Sequence, residues 1–393
     1  MFRRTYKYHM RPNKTAVAFM ADAMETHRRL YNDALGWRIH CYETHGATFS
    51  LRDQQKAYAR VRKGNPFLAR CNARSIGLTL QRLDEAYQAF FRRCKTGGPA
   101  GFPKFCPVDR FNTISFGQNN GYMVTPPAAG EHWGKLRLTE MVEGKPHHHN
   151  IRVKFHRPLP EGAKRKQISI TREGSRWYLC IALEIPDEKP SCGKGKVGVD
   201  VGLKEFATLS NGDTLGDSRT LESSLRKLRI ANRSLSRKTD KRSNRRRRCR
   251  ERLAAIHRKV RNSRRDMHNK TAKVLVDQFE TIAVENLNVA GMMQNKRLAR
   301  RIGDAGWSQF VTILDSTASR RGATVIAVPP QNTSQDCSGC GAKVPKSLSV
   351  RTHQCPECGL VMDRDENAAK NILARAFEPK KKQKNKKTKK VKS

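Results

Sequence analysis

Three acidic residues, far apart in the sequence, constrain the fold of this chain more than any other feature. Asp200 interrupts the apolar run 197–201, Glu285 ends the apolar run 282–285, and Asp365 opens a helical stretch. Carboxylates at the ends of separate strands are a common way to build a magnesium site for phosphodiester chemistry. The sequence therefore predicts that the three acids are catalytic and hold Mg²⁺ or Mn²⁺, hard cations that prefer oxygen ligands.

The segments around these acids follow the order of an RNase H-like fold. Three strands joined by short turns, including the hairpin signal Asn211-Gly212, precede a helix, a strand, a helix, a strand and a last helix. The predicted later elements are strand 281–284, a helix near 307–320, strand 323–328 and helix 365–377. In such a sheet the first and fourth strands are neighbours. We therefore expect Asp200 and Glu285 to emerge side by side and Asp365 to face them.

Each acid taken alone has a simpler interpretation. Asp365 is also placed to cap the N-terminus of its helix, and Glu285 to sit at the surface where its strand ends. Asp200 is harder to explain in this way, because an acid among Val and Gly would interrupt a buried strand. It is the three acids together, in this order of elements, that favour catalysis.

Four cysteines just before Asp365 form two Cys-x-x-Cys pairs, Cys337 with Cys340 and Cys355 with Cys358. Each pair offers two thiolates to one ion, which predicts a tetrahedral structural zinc site. Two redox pairs or an iron–sulfur site are the alternatives. We expect this ribbon either to position Asp365 or to contact nucleic acid. The remaining cysteines lack pair spacing and are expected to be reduced thiols: Cys41, Cys71, Cys94, Cys106, Cys180, Cys192 and Cys249.

The charge of the chain identifies a class of partner. The formal net charge is +44, from 79 Lys and Arg against 35 Asp and Glu. A long polyanion is the partner that such a charge favours, because each phosphate contact releases counterions. No apolar run reaches the roughly 20 residues that span a bilayer, and the first residues lack an apolar signal core. We therefore expect no membrane partner and a cytoplasmic, nucleoid-associated location in a prokaryote.

The basic residues concentrate in two segments. Between Arg226 and Arg265, 19 of 40 residues are Lys or Arg, with apolar residues at partial helical spacing. This pattern predicts a helical hairpin that lines a nucleic-acid groove, although a solvated helix is the simpler alternative. The candidate contacts are Arg226, Arg229, Arg233, Arg237, Arg245, Arg246, Arg247 and Arg248. The tail 379–393 contains nine Lys and is predicted to be disordered; its role stays open.

The N-terminal half changes character twice. Residues 1–10 predict one strand, and 14–94 show three- and four-residue apolar spacing typical of a helical bundle. The Gly- and Pro-rich segment 95–105 then breaks the pattern, and short β-like runs continue to about residue 186. We expect a small β-barrel that includes the first strand, with the helices as an insertion. The run His147-His148-His149 is predicted to be a loop and not a metal site.

These motifs together resemble the TnpB family of transposon-encoded RNA-guided nucleases. The resemblance rests on Gly101–Phe105, the strand around Asp200, Val284–Leu287, the cysteine quartet, and 363–372, and it covers nearly the whole chain. It implies a wedge barrel, a helical recognition domain and a RuvC nuclease domain that carries the ribbon. It also implies a guide RNA transcribed from the transposon end and cleavage of double-stranded DNA beside a short motif. Asp200, Glu285 and Asp365 match the family's catalytic positions.

The resemblance gives a multidomain α/β organisation with the following expected boundaries. The wedge β-barrel occupies 1–12 and 96–190, the recognition bundle 13–95, the RuvC domain 191–336 and 361–378, the ribbon 337–360, and the tail 379–393. We expect a monomer. Two rivals are a transposase on the same RNase H-like fold and a non-catalytic nucleic-acid-binding regulator. The order of the acids disfavours the first rival, and the intact triad disfavours the second.

Overall fold

The computed structural model describes residues 2–118, 120–186, 191–216, 222–240, 243–347 and 350–378. The chain divides into two compact units, Met1–Asp187 and Glu188–Ser393. The predicted basic tail 379–393 and residues 187–190, where the predicted wedge β-barrel ends, lie outside the described residues. No helix in the described part of the chain is long and apolar enough to cross a bilayer.

The first unit is built on an antiparallel sheet. Its strands, within residues 2–186 as described, are β1 (Phe2–Arg11), β2 (Thr113–Gly117), β3 (Tyr122–Thr125), β4 (Trp133–Val142), β5 (Lys145–Lys154), β6 (Lys164–Glu173) and β7 (Arg176–Ile185). They pair in the order β2-β6-β7-β1-β5-β4-β3. The first strand pairs with both β7 and β5, which confirms that it joins the later β-rich region. Arg165 of β6 donates to the carbonyl of Val124 in β3, so the two ends of the sheet approach each other.

Helices fill the segment between β1 and β2. They are α1 (Lys14–His45), α2 (Leu51–Gly64), α3 (Pro66–Arg70) and α4 (Ala73–Lys95). Their boundaries follow local chemistry. Asn13 caps α1 and Gly46 ends it with φ 62°, while Ser50 forms a capping box with Asp53 at the start of α2. Asn72 caps α4. The predicted helical stretch is thus confirmed as several helices, divided by polar caps.

The histidine run is a strand, so the prediction of a loop was wrong. Residues 147–149 lie in β5, where His149 points inward and His147 and His148 are exposed. His149 Nε2 lies 2.8 Å from Glu140, and its ring stacks on Phe19 with centroids 4.5 Å apart. The sequence does not reveal the buried partners of His149. Without them, a run of polar residues in a strand is easily taken for a loop.

The second unit contains a mixed sheet. Its strands, among the described residues, are β8 (Lys196–Val201), β9 (Ala207–Leu209), β10 (Thr214–Leu215), β11 (Thr281–Glu285) and β12 (Thr324–Val328). The order is β10-β9-β8-β11-β12. β8, β11 and β12 are parallel neighbours, and β9 and β10 are antiparallel additions. The predicted pairing of the first and fourth strands is therefore confirmed.

Helices cover both faces of this sheet. They are α5 (Glu222–Ser236), α6 (Asn244–Gln278), α7 (Val289–Met292), α8 (Ala299–Ala305), α9 (Trp307–Arg321) and α10 (Arg364–Phe377), with a short hairpin of β13 (Thr352–Gln354) and β14 (Val361–Asp363) before α10. Alternate residues of β11 separate the two cores. Ile282 and Val284 pack with α6 and α9, whereas Ala283 packs with Ile372 of α10. Helix α10 therefore packs on the face of the sheet opposite to α6 and α9. This position places its N-terminus near the strand ends.

Candidate active site

Two of the three predicted acids lie side by side on neighbouring strands. Asp200 is in β8 and Glu285 is the last residue of β11. The parallel register pairs Val199 with Val284, so the next position along each strand brings Asp200 beside Glu285. Both side chains are half-buried. The sheet thus supplies two carboxylates at one edge, as the sequence predicted.

The third acid comes from the first turn of α10. Asp363, not Asp365, is the N-cap: its carboxylate accepts hydrogen bonds from the backbone N–H groups of Asp365 (2.7 Å) and Glu366 (3.3 Å). The interpretation of Asp365 as a helix cap is therefore wrong. Because Asp363 satisfies the helix end, the carboxylate of Asp365 is left to other partners.

Gly198 explains how α10 comes so close to the strand that carries Asp200. A Cβ atom on Gly198 would lie 1.9 Å from the carbonyl oxygen of Ala369 and 2.8 Å from the amide nitrogen of Leu373. Only a residue without a side chain permits this contact between helix and strand backbones. Gly198, two residues before Asp200, therefore sets the distance between the helix that carries Asp365 and the sheet.

The negative charges of Glu285 and Asp365 both act on Asp200. Burial first, and then the negative charges of Glu285 and Asp365, raise the pKa of Asp200 from 3.8 to about 8. Burial also raises the pKa of Glu285, although a hydrogen bond from Thr333 and the charge of Arg375 oppose the rise. Carboxylates that are held close together and away from water favour a positive charge between them.

The raised pKa of Asp200 gives a prediction for the protein without added Mg²⁺. The folded state retains a proton that the unfolded chain releases between about pH 4 and pH 8, so the free energy of unfolding falls as pH rises through this window. Asp200→Asn has no such proton. We expect the variant to become more stable than the parent by about 2–4 kcal/mol at pH 8, and the gap to shrink towards pH 4. Urea unfolding at a series of pH values measures the gap; a gap independent of pH would contradict the prediction.

Thr333 and Arg375 are site residues that the sequence did not reveal. The Thr333 hydroxyl donates to Glu285 Oε1 at 2.5 Å and to the Pro330 carbonyl at 3.2 Å. Arg375 of α10 donates to the Pro329 and Gln331 carbonyls and to Asp336. These contacts fasten the segment after β12 over Glu285. Nothing in the sequence pattern marks this irregular segment, although its position directly after a predicted site strand was a possible signal.

Asp365 is held by two arginines. Arg364 donates to Asp365 Oδ1 at 2.8 Å and 3.0 Å, and Arg351 donates to Oδ2 at 3.2 Å. Among the residues that the structure describes, the three carboxylates do not form a group with all ligand oxygens within 4.8 Å of one another. Their oxygen chemistry and their mutual charge fit Mg²⁺ or Mn²⁺.

The four predicted zinc ligands do come together. The sulfur atoms of Cys337, Cys340, Cys355 and Cys358 all lie within 4.8 Å of one another. Cys337 is 3.6 Å from Cys358, and Cys340 is 3.6 Å from Cys355. Burial opposes ionisation of Cys337, but the N–H groups of Cys340 and Gly339 lower its pKa to about 6. A compact thiolate set of this kind fits tetrahedral Zn²⁺.

Two asparagines of α10 connect the cysteine region to the helix that carries Asp365. Asn367 accepts from the Ser338 N–H at 2.9 Å and donates to the Asp336 carbonyl at 2.8 Å. Asn371 donates to the carbonyls of Thr333 (2.8 Å) and Asp336 (2.7 Å). Both are buried. The first cysteine knuckle is therefore hydrogen-bonded directly to α10.

This connection predicts the effect of losing the zinc. Cys337→Ser removes one thiolate ligand, so we expect loss of bound zinc and a drop of about 3 kcal/mol or more in the free energy of unfolding. Metal analysis and thermal melting measure both. Cys192→Ser, a free thiol in the same unit, is the matched control. Unchanged zinc content and melting in Cys337→Ser would contradict the assignment.

The basic stretch forms the predicted helical hairpin. α5 and α6 pack together through Leu228 and Ala231 of α5 and Val260 of α6. Arg226, Arg229, Arg233 and Arg237 are exposed along the first arm, and Arg245, Arg247 and Arg248 are exposed on the second.

Arg246 differs from the other candidate contacts, because its guanidinium donates to the carbonyls of Leu235 and Lys238 where α5 ends. This contact closes the hairpin. A groove of about 650 Å³ is lined by Arg229, Arg233, Arg237 and Arg300, among others.

Comparisons with known proteins give a consistent result. A family model described as "Probable transposase", OrfB_IS605, matches residues 179–296, and a model described as "Cas12f1-like, TNB domain" matches residues 307–372. A Streptomyces pristinaespiralis protein named "Putative RNA-guided DNA endonuclease" is 27% identical over 95% of this chain and 89% of its own length. The Escherichia coli K12 protein of the same description, InsQ, is 28% identical over 75% of this chain and 72% of its own length.

Further similarity comes from a viral protein and from solved structures. A TnpB-like protein of Acanthamoeba polyphaga mimivirus is 28% identical over 59% of this chain and 47% of its own length. The Cas12f1 chain of a Cas12f1–sgRNA–target DNA complex aligns with a TM-score of 0.60 at 14% identity, over 92% of this chain and 83% of that chain. The last match shows a shared multidomain α/β fold.

Proposed function

We propose that this chain, which belongs to the TnpB family, is an RNA-guided DNA endonuclease that cleaves double-stranded DNA by metal-dependent phosphodiester hydrolysis. The guide RNA would come from the transposon end, and cleavage would occur beside a short DNA motif. The observation that carries the proposal is the convergence of Asp200, Glu285 and Asp365 on one electrostatic environment in a strongly basic chain. The names and solved complexes of the similar proteins support it.

The roles of the site residues follow from their contacts. Bound divalent cations activate a water molecule and stabilise the leaving oxygen. Asp200 and Glu285 would hold the ions from the sheet, and Asp365 would hold them from α10. Thr333 orients the Glu285 carboxylate, and the loss of a proton from Asp200 prepares that residue to bind metal. Arg364 and Arg351 lie beside Asp365, where they would neutralise part of the charge of a bound phosphate.

The proposal extends to the domain organisation. We assign the second unit to a RuvC nuclease domain of RNase H-like order, interrupted by the zinc ribbon, and the sheet of the first unit to a wedge β-barrel with an inserted helical recognition bundle. The boundaries predicted from the sequence are kept as part of the proposal. The exposed arginines of α5 and α6 would bind nucleic-acid backbones, while base pairing selects the sequence. A monomer, in the prokaryotic cytoplasm near the nucleoid, is the simplest working state.

A transposase is the second candidate, because one matching family model carries that description. Such an enzyme would join DNA ends as well as cut them. Strand-transfer products from a reaction with transposon-end DNA and Mg²⁺ would favour the transposase, whereas cut products alone favour the endonuclease.

The RNA that purifies with the protein tests the main proposal most directly. The gene would be expressed with its native flanking DNA, and the bound RNA sequenced. A single abundant RNA from the 3′ flank with a variable end is expected, because a guide must carry transposon sequence beside target sequence. Random cellular RNA, or no RNA, would contradict guided cleavage and leave an unguided nuclease or a transposase.

A further inference from the structure

The motif Gly101-Phe102-Pro103-Lys104-Phe105 has no role in the active site, yet the first unit holds it tightly. The Cys106 N–H donates to Asn32 Oδ1 at 2.7 Å, and the Cys106 carbonyl accepts from Asn32 Nδ2 at 3.1 Å and from Arg28 at 3.2 Å. Pro103 is buried. The backbone directly after Phe105 is thus fastened to α1, and the residue two positions before Phe105 is buried.

Despite this fixed backbone, the two phenylalanines of the motif face solvent. Phe105 is 57% exposed and Phe102 is 43% exposed. One edge of Phe105 rests over Gly36 of α1, about 3.8 Å from where a Cβ would be. Phe102 makes edge contacts with Tyr87 and Phe90 of α4, with centroids 5.6 Å and 5.3 Å apart. Aromatic rings that are held rigidly but left uncovered are suited to stack on a flat ligand.

The surroundings of these rings are basic. No Asp or Glu occurs between Ala86 and Val108, whereas Arg92, Arg93, Lys95 and Lys104 are exposed there. Phe91, also exposed, extends the aromatic surface along α4.

A groove of about 560 Å³ adjoins Phe105 at Gly36, and its lining includes Arg28, Arg29, Trp37 and His40. Glu25 pairs with both Arg28 and Arg29, and the exposed Asp33, which also lines the groove, accepts from Tyr58. The basic character of this surface therefore comes from Arg92, Arg93, Lys95 and Lys104. Cations that alternate with exposed rings match a phosphate backbone with unpaired bases.

We propose that Phe105 and Phe102 form a stacking platform for unpaired RNA bases, with the cations around them binding the RNA backbone. The platform goes beyond the proposed function, because it concerns single-stranded RNA outside any guide–target duplex. The choice of RNA rests on the proposed function, which makes a guide RNA with unpaired segments the partner of this chain. Stacking requires no sequence match, so the platform would accept any unpaired base.

Binding of a short, unstructured, fluorescently labelled RNA to the full chain tests the proposal. Measurements at high salt suppress the contribution of the basic helices, because phosphate contacts weaken steeply with salt while stacking does not. We expect Phe105→Ala to bind this RNA about tenfold more weakly, Phe105→Leu to be nearly as weak, and Phe105→Trp to bind as well as the parent. A blunt-ended RNA duplex should show no difference between the variants.

Phe67→Ala is the matched control, because Phe67 of α3 is 56% exposed in the same unit. Thermal melting of each variant establishes that it folds. Equal RNA binding by parent and Phe105→Ala, or an equal loss in Phe67→Ala, would overturn the platform. A loss confined to single-stranded DNA, with RNA binding unchanged, would overturn the choice of RNA, and a change in oligomeric state alone would identify a protein contact instead. Guided DNA cutting is scored separately, so that the platform can fail while the proposed function stands.

Discussion

Replacing Asp200 with asparagine is expected to reduce DNA cutting by at least about 10³-fold, while the protein folds and binds RNA as before. The amide keeps the size of the side chain but removes the negative oxygen that would bind the proposed metal, which would supply both water activation and leaving-group stabilisation. The basic surface of α5 and α6 is unchanged. A plasmid cleavage assay with Mg²⁺ and the co-purified RNA measures the loss, and filter binding measures RNA affinity.

A matched control separates metal binding from general damage. Asp213 lies in the turn between β9 and β10, where Asn211 donates to its carboxylate at 2.7 Å, and Asp213→Asn makes the same chemical change in the same unit. It should cut nearly as well as the parent. If Asp200→Asn retained metal-dependent cutting, the site would have to be placed elsewhere. If both variants lost it, the loss would reflect the fold and not a missing ligand.

The positions of Asp200 and Glu285 were predictable from the sequence because the apolar strands around them are short and regular. Strand order then placed the first and fourth strands together, as the pairing of β8 with β11 shows. The cysteine quartet was predictable because its ligands come in two local pairs. In these cases the residues that identify the site are close together in the sequence, or they lie in strands with a regular apolar pattern.

Other features depend on contacts that no periodic pattern in the sequence reveals. Thr333 and Arg375 reach Glu285's surroundings from an irregular loop and from one residue on a helix. Asp363 and Asp365 are both placed to cap the N-terminus of α10. Only the backbone geometry identifies Asp363 as the cap. The histidine run in β5 was misassigned because His149 is satisfied by Glu140, a partner on the adjacent strand. Side-chain contacts between elements determined the first and the last of these outcomes, and local backbone geometry determined the cap.

Gly198→Ala is expected to disrupt the active site without touching any of its acids. The added methyl would lie 1.9 Å from the Ala369 carbonyl oxygen, a backbone atom that cannot move unless α10 moves. Overpacking of this kind costs about 3 kcal/mol when the neighbour is rigid. Because Asp365 is fixed to the first turn of α10, a shift of the helix by about 1 Å displaces that carboxylate from the metal position, and displacements of this size reduce rates by about 10²-fold. We therefore expect weaker cutting and a lower melting temperature together.

The same substitution at Gly303 provides the control for Gly198→Ala. Gly303 lies in α8, and a Cβ there would meet only the end of the flexible Met293 side chain, at 3.5 Å. Gly303→Ala should keep both melting temperature and cutting rate, since alanine is also the better helix former. If Gly198→Ala cut DNA at the parent rate, the close approach of α10 to β8 would not be what positions Asp365. If it melted normally but cut weakly, α10 would have shifted at little cost in stability, and the displacement of Asp365 alone would account for the lost activity.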